Sequence, residues 1–487
     1  MKVLFHCVCM PSPHFEAELE LMANHLEQGD DVYALACKEN LPTCFTNSAH
    51  CKSACLVCQG RFDAGIRLLG ERVHVVPFPL KVQQRYTEIP KVFDNIEDLK
   101  KYQIGSLQLG LAAASSLISR INREHRLDTK KYAADVDLEL RTARYVFLSY
   151  QQILKDIKPG RVYLFNGRFS TCLPVINACE DAGIPFSTHE RGGQMNSYYL
   201  VDGSTPHNVE YATQEIKSIW SSFPENIATE RGSKFYEDRR KRVEQCWTSF
   251  TKEQQQGALP TGFDQSKRNI AFFNTTVEEY AAVRDRAIPL FIYQDEKEAI
   301  ERIAKAFQND PSTHFYLRVH PNQRGYDNSQ SRDIEELGRL VHSLTVISPE
   351  SKIDSYALMD ACTTVVTFGS TMGAESCYWG KPSVLLGRAY YEALDCAYIP
   401  NDHDEAVSLL KQNLRPKSRL GAIQYGLWDS EHGIPFKRYK PNDLFTGNFL
   451  GNPIRPTLPQ RIRILLHRAW EKKSILEIFR SLQKKIS

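Results

Sequence analysis

The feature that most constrains this chain of 487 residues is an apolar pattern that alternates short strand-like runs with amphipathic helical stretches, and does so in two separate series. "KVLFHCVC", "HFEAELELMANHLEQGD" and "DVYALAC" read as strand, helix and strand, with Phe15, Leu19, Met22 and Leu26 recurring at three- and four-residue steps. Such a unit demands a parallel sheet, because the helix carries the chain back to start the next strand in the same direction. "RVHVVPFP" adds a strand, and a long polar helical stretch follows from about 93 to 157. "GRVYLFNG", "CLPVINACEDAG" and "IPFSTHERGG" then resume the alternation. A charged, Gln-rich stretch from about 210 to 267, ending in "QQQGALPTGFDQSK", marks a boundary. Beyond it "NIAFFNTT", "HFYLRVHP", "TVISP", "TVVTFGS" and "PSVLLG" form the second series. The expected fold is therefore α/β with two Rossmann-like domains: an N-terminal domain over 1–262 with a helical insertion, a second over 263–450, and a C-terminal helix over 451–487.

Composition narrows the class. An apolar content of 42% in 487 residues is enough for two ordinary cores, so the 13 cysteines are not needed as a disulfide scaffold, and their odd number fits a reducing cytoplasm. "MKVLFHCVCMPSPHFEAELELM" has one Lys before a short apolar run and then turns acidic, which reads neither as a signal peptide nor as a spanning helix. A net charge of +3 gives no general attraction to nucleic acid. The imbalance is local: residues 455–487 hold nine Lys or Arg against two Glu, a net of +7. Ile462, Leu465, Leu466, Ile475, Phe479 and Leu482 fall near helical spacing there. A basic amphipathic helix suits an anionic membrane surface at the cytoplasmic face, and equally suits packing on the protein's own body.

In open α/β sheets ligands bind at the carboxyl ends of the strands. "VVTFGSTMGAES" places Gly369 in a turn and Ser370 and Thr371 at the start of a helix, where hydroxyls and free amides face an anion such as phosphate. Glu375, about one turn on, is set to meet ribose hydroxyls. "YLRVHPNQRG" holds His320 at a strand end with Pro321 and Asn322 rigidifying the turn and Arg318 and Arg324 flanking it, an imidazole suited to a phosphate oxygen and a leaving group. In the first half, Asn166 and Arg168 sit at one strand end, and His189, Glu190 and Arg191 at the next, with Gly192 and Gly193 permitting close approach. A carboxylate such as Glu190, facing a phosphate site across a cleft, is placed to deprotonate a hydroxyl. His14, Glu16 and Glu18 are weaker candidates, since Glu16 and Glu18 also read as first-turn carboxylates that complement a helix dipole.

"FFNTTVEEY", "YLRVHPN", "SYALMDACTTVVTFGSTMGAESCYWGKPSVLLG" and "YYEALDCAYIP" resemble bacterial capsular and surface polysaccharide biosynthesis glycosyltransferases of the GT-B type. The resemblance covers most of the second domain and thins into the first through "FNGR", "HERGG" and the cysteine segment. In motif logic the chain is also similar to bacterial sialyl- and Kdo-transferases, with their His-Pro and Ser/Thr motifs. The resemblance implies a nucleotide sugar, CMP- or UDP-linked, in the second domain, with His320 and Pro321 matching the His-Pro motif and Ser370 and Thr371 the hydroxyl pair; Arg318, Asn322, Gly369 and Glu375 join them as donor-binding candidates from their strand-end positions. It implies a saccharide or glycolipid acceptor in the first, near Asn166, Arg168, His189 and Arg191, with Glu190 as base. Those transferases carry an acidic-acidic-Gly run where this chain has Glu190-Arg191-Gly192. Single displacement would invert the anomeric centre. No Asp-x-Asp stands at a strand end of the second domain, so no catalytic divalent metal is expected. Two other readings share the motifs: a non-hydrolysing sugar-nucleotide epimerase, which needs no acceptor, and a non-catalytic saccharide- or nucleotide-binding subunit of an assembly complex.

"CKENLPTCFTNSAHCKSACLVC" packs five cysteines into residues 37–58. Cys37, Cys44 and the pair Cys55 and Cys58 have the spacing of a four-thiolate site for structural zinc or an iron-sulfur cluster, with Cys51 as an alternative ligand. Similar segments in polysaccharide-synthesis relatives also match Leu41-Pro42, Arg61 and Gly65. Cys51, Cys55 and Cys58 have radical S-adenosylmethionine spacing too, but in a chain that reads as Rossmann-like halves. Reduced thiols packed as small apolar residues are the remaining alternative.

Overall fold

A computed structural model describes residues 1–79, 92–244, 249–284 and 290–486, with side chains described to residue 472. Five strands form the parallel part of the first sheet: β1 (Lys2–Cys7), β2 (Asp31–Ala36), β3 (Val73–Pro77), β4 (Arg161–Phe165) and β5 (Phe186–Arg191). β6 (Ser197–Asp202) adds to β5 antiparallel. The second sheet is wholly parallel and comprises β7 (Arg268–Phe273), β8 (Thr313–Arg318), β9 (Leu344–Ile347), β10 (Thr364–Thr367) and β11 (Ser383–Leu385). Both parallel sets run in the order third, second, first, fourth, fifth along the chain. This is the Rossmann order, whose switch point lies between the first and fourth strands. The chain thus has the two-domain α/β plan of the GT-B type.

The central strands β1, β4, β7, β8 and β10 are buried on both faces, which explains why they read as continuous apolar runs and not as alternating ones. Phe15, Leu19 and Met22 of the helix His14–Glu27 enter the core beneath β1 and β2. The helix Lys52–Leu69 packs close by because Gly65 has no side chain: a Cβ there would lie 2.6 Å from the Phe15 ring. The stretch read as polar, 93–157, contributes much of the first core. In the helices Leu109–Arg120 and Ala133–Ile157, Leu109, Ala112, Leu117, Leu140, Val146 and Tyr150 are buried, and the polar residues occupy the outward stripe.

Packing does not divide the chain at residue 262. The helices Val209–Ser222 and Glu225–Arg240 join the second unit, where Ala212, Ile216, Phe235 and Tyr236 cluster with Tyr391, Tyr425 and Trp428. Glu225–Arg240 crosses the helix Arg419–Glu431 at very short range. A Cβ on Gly232 would sit 2.2 Å from the Ile423 carbonyl oxygen, and the Tyr236 hydroxyl donates to the Ala422 carbonyl at 2.5 Å. The chain then returns to the first unit. β12 (Ile434–Pro435) pairs antiparallel with β6, and a small sheet of β13 (Tyr439–Pro441), β14 (Gly447–Phe449) and β15 (Asn452–Pro453) buries Tyr439 and Phe449 in the first core.

The C-terminal helix Leu458–Ile486 docks on Lys52–Leu69. Glu471 accepts from the Ser53 amide at 3.0 Å and the Ser53 hydroxyl at 2.6 Å, Gln460 donates to Asp63 at 3.1 Å, and Ile464 is buried. Leu458, Ile462, Leu465, Leu466 and Trp470 are all more than half exposed on the same helix. Ile475, Phe479 and Leu482 lie outside the described side chains. Among the described residues no helix is long and apolar enough to cross a membrane.

Candidate functional site

At the carboxyl end of β8 the chain turns through Val319, His320 and a short 3-10 turn, Pro321–Gln323. The Asn322 amide donates to His320 Nδ1 at 3.1 Å, and the His320 amide donates to Asn274 Oδ1 at 2.8 Å. With Nδ1 accepting, the neutral ring carries its proton on Nε2, and that N–H has no acceptor among the described residues. Burial lowers the His320 pKa to about 4, and the guanidinium groups of Arg318, Arg239 and Arg123 push it the same way. A neutral N–H donor in a field of positive charge is a setting for an anion.

β10 ends one residue before Phe368 and Gly369. Gly369 has φ +128°, and a Cβ there would meet the Arg388 carbonyl oxygen at 2.7 Å, so glycine is required on both counts. The Tyr391 hydroxyl donates to the Ser370 carbonyl at 2.7 Å and fixes the turn. Ser370 and Thr371 are half-buried, and Thr371 donates to Glu375 at 2.9 Å. The helix that follows, Met372–Tyr378, has only seven residues.

Two residues expected at the donor face inward. Glu375 is buried, and its carboxylate is held by the Tyr356 hydroxyl, by Thr371 and by Arg239 at 3.3 Å, so it anchors the turn and does not reach for a ribose. Arg318 is buried too and donates to the Ser348 carbonyl at 2.6 Å and the Ser351 carbonyl at 3.3 Å, clamping the loop after β9. Sequence reading missed Arg239, Arg123 and Tyr391. Arg239 lies on a helix so charged that it reads as a linker, and the aromatic pair Phe235 and Tyr236, three and four residues earlier, was the available signal that this helix is packed.

On the first sheet Glu190, near the end of β5, accepts from Asn166 Nδ2 at 2.8 Å and from the Arg191 amide at 3.0 Å. Asn166, buried and left-handed at φ +57°, therefore positions Glu190. His189 is fully buried 3.1 Å from Glu18, which is itself fully buried, so neither faces an acceptor. Glu16 lies in the first turn of its helix and is buried against Arg61 at 2.6 Å. Arg191 donates to the carbonyls of Leu444 and Ser12 at 2.7 and 3.1 Å, holding the returning C-terminal segment. Gly192 and Gly193 admit backbone: a Cβ on Gly193 would lie 2.2 Å from the Asp429 carbonyl oxygen. The two carboxyl edges meet where Arg168 Nη2 donates to the Glu278 carbonyl at 3.3 Å and Arg123 Nη1 to the Asn322 carbonyl at 2.9 Å.

The cysteine segment borders the same edge. Phe45 stacks on Phe169, ring centroids 4.0 Å apart. Cys37, Cys44, Cys55 and Cys58 are near enough to affect one another electrostatically. Burial, the largest influence, raises all four thiols, Cys55 to about 11. Asn47 donates to Cys55 Sγ at 3.1 Å, and Cys44 Sγ lies 3.5 Å from the Thr46 hydroxyl. Among the described residues no group of three or more His, Cys, Asp or Glu is placed to hold a metal ion.

Buried neutral histidines set the acid limit of the fold. Burial lowers His6, His14, His125 and His320 to about 4 each, whereas unfolded imidazoles titrate near 6.5. Between those values the unfolded chain binds more protons, so stability rises with pH across the window and is lost as pH falls. Glu296 and Glu139, raised by burial to about 7 and about 6, act with the opposite sign. Denaturant unfolding at pH 7 and pH 5 is expected to show a clear loss at the lower pH; equal midpoints would contradict it.

Residues 228–398 match the family model described as capsule polysaccharide biosynthesis protein. No curated protein matches the chain in sequence. Among solved structures the chain is similar to the beta Kdo 2,4 transferase of Thermosulfurimonas dismutans KpsC, at 14% identity over 55% of this chain and 79% of that one, with a TM-score of 0.36. It is also similar to the beta Kdo 2,7 transferase of the same KpsC, at 15% identity, 66% and 89% coverage and a TM-score of 0.33. A third similar structure is UDP-GlcNAc 2-epimerase from Neisseria meningitidis bound to UDP-GlcNAc, at 13% identity, 88% and 97% coverage and a TM-score of 0.30. The matched segment carries His320, Gly369, Ser370 and Thr371, and its model is that of the family the sequence motifs resemble.

Proposed function

We propose that this chain is a glycosyltransferase of capsule polysaccharide synthesis that moves a sugar from a nucleotide-sugar donor to a saccharide or lipid-linked acceptor with inversion. The observation that carries this reading is the edge of the second sheet. There the free Nε2–H of His320 stands in the field of three guanidiniums, in the same unit as the hydroxyls of Ser370 and Thr371. Bound there, a donor's phosphate oxygens would accept from His320, Ser370 and Thr371, which stabilise the charge that develops as the glycosidic bond to phosphate breaks. The acceptor hydroxyl gives up its proton at the Glu190 end of the first sheet and attacks the anomeric carbon from the opposite face. No divalent ion takes part in this scheme.

A thermal-unfolding screen of CMP, UMP, UDP and GDP tests the donor site. A nucleotide at 100 times its Kd is expected to stabilise the fold by about 2.7 kcal/mol. His320→Ala is expected to lose most of that shift. No shift with any nucleotide would remove the proposal. Incubation of the matching nucleotide sugar without acceptor separates transfer from epimerisation, since only an epimerase yields a new nucleotide sugar. Full loss of transfer in EDTA, restored by magnesium, would overturn the metal-free scheme.

We also propose that the C-terminal helix rests on an anionic membrane surface at the cytoplasmic face. One side of it is held by Ser53 and Asp63, while Leu458, Ile462, Leu465, Leu466 and Trp470 are exposed beside Arg461, Arg463, Arg468 and Lys472. Sedimentation with vesicles containing anionic lipid is expected to pull the protein down at low salt and to fail with neutral vesicles. Replacing Leu465, Leu466 and Trp470 by Ser should abolish binding, and retained binding would refute the assignment.

A further inference from the structure

His14 begins the helix after β1, at the carboxyl edge of the first sheet, and its side chain is largely buried. Its Nδ1 lies 3.5 Å from Glu190 Oε1 and is buried with no hydrogen-bond partner. Nε2 has none among the described residues. The ring is held by Phe165, with centroids 4.4 Å apart. Glu190 is fixed independently, since Asn166 donates to one of its oxygens and the Arg191 amide to the other. Glu190 can only accept, and a buried imidazole nitrogen beside it is satisfied only if it carries a proton. The proton of a neutral ring therefore goes to Nδ1, toward the carboxylate, and the Nε2 lone pair is left to act as a base.

We propose that His14 is the catalytic base and that Glu190 is its orienting carboxylate. This inference rests on the transferase reading above and names the atom that receives the proton. The acceptor O–H bond breaks as its proton passes to His14 Nε2, and the oxygen forms the new bond to the anomeric carbon. The bond from that carbon to the donor phosphate breaks with its electron pair going to the phosphate oxygen, which accepts from His320 Nε2. The imidazolium is stabilised by Glu190 until it loses the proton to solvent.

The charged surroundings agree with a neutral resting ring. Burial is the largest influence on His14 and lowers its pKa to about 4; Glu190 opposes this, and His189 and Arg191 add to it. His189 is in turn paired with Glu18, and the nearby Glu16 is paired with Arg61, so Glu190 is the carboxylate that faces His14 directly. The ring is therefore neutral at pH 7 and able to accept a proton, with Glu190 beside it to stabilise the imidazolium.

The full-length chain labelled with 15N-histidine tests the pairing without any substrate. The His14 signals, assigned by their loss in His14→Gln, are expected to report an Nδ1–H tautomer from pH 8 to about pH 5, with that preference lost in Glu190→Gln. An Nε2–H tautomer or an imidazolium at pH 7 overturns the proposal. Transfer is then measured with the nucleotide sugar whose nucleotide protects the wild-type chain from unfolding. His14→Gln and His14→Asn are each expected to lower kcat by about 100-fold or more with unchanged nucleotide protection. If either keeps a tenth of wild-type kcat, His14 is not the base. A wild-type chain that neither binds a nucleotide nor transfers a sugar removes the transferase reading, and this proposal with it, whatever the tautomer.

Discussion

Glu190→Gln is expected to lower sugar transfer by about 1,000- to 10,000-fold, or roughly 4 to 5.5 kcal/mol in the barrier, while leaving nucleotide binding unchanged. Both carboxylate oxygens of Glu190 accept from fixed donors, Asn166 Nδ2 at 2.8 Å and the Arg191 amide at 3.0 Å. An amide has one oxygen and one NH2 group, so in either orientation it turns a donor toward a donor. The side chain must rotate away, and the charge that stabilises a proton on the neighbouring imidazole is lost as well. The donor groups lie on the other sheet and are untouched, which is why turnover and binding should separate. Steady-state transfer and nucleotide thermal shifts on the same preparation check both halves. A variant that keeps a tenth of wild-type kcat would show that this strand end is not where the acceptor is activated.

Gly369→Ala is expected to abolish nucleotide protection and to cost about 2 kcal/mol or more in stability. Two effects add. The backbone at φ +128° is one that side chains rarely adopt, which costs on the order of 1–2 kcal/mol, and the new methyl group would meet the Arg388 carbonyl oxygen at 2.7 Å. Backbone that moves to relieve this contact carries Ser370 and Thr371 with it. Gly29→Ala is the control, because Gly29 also has positive φ, +79°, but nothing lies within 4 Å of its added Cβ. It is expected to show the smaller conformational cost alone and full nucleotide protection. Comparable nucleotide protection in the two variants would mean that the Gly369 turn does not hold the phosphate.

The central strands were legible in the sequence because they are buried on both faces, so unbroken apolar runs marked them, and their ends marked the candidate functional edges. Side-chain direction was not legible. His189 is sealed against Glu18 while Glu190 stands beside His14, one turn away on the same helix, a difference that neighbouring positions in the sequence do not announce. Arg318, the last residue of β8, likewise turns into the loop after β9, while His320 stands past the strand. Unit membership was hidden for a different reason. The helix Glu225–Arg240 is rich in charge, and its buried stripe is Ala228, Gly232, Phe235 and Tyr236, of which only the two aromatics are large apolar residues. In the cysteine segment the spacing of the thiols was legible, whereas the stacking of Phe45 on Phe169, between residues 124 positions apart, was not.

The return of the chain at β12 has a consequence for biosynthesis. β6 acquires its outer partner only when residues 434 and 435 arrive, and the first core closes only with Tyr439 and Phe449. A ribosome that has released the first 200 residues has therefore made a sheet whose border is still bare, and it must translate the entire second unit before that border is capped. During that interval the nascent chain presents an open strand, the kind of edge on which two growing copies can pair with each other.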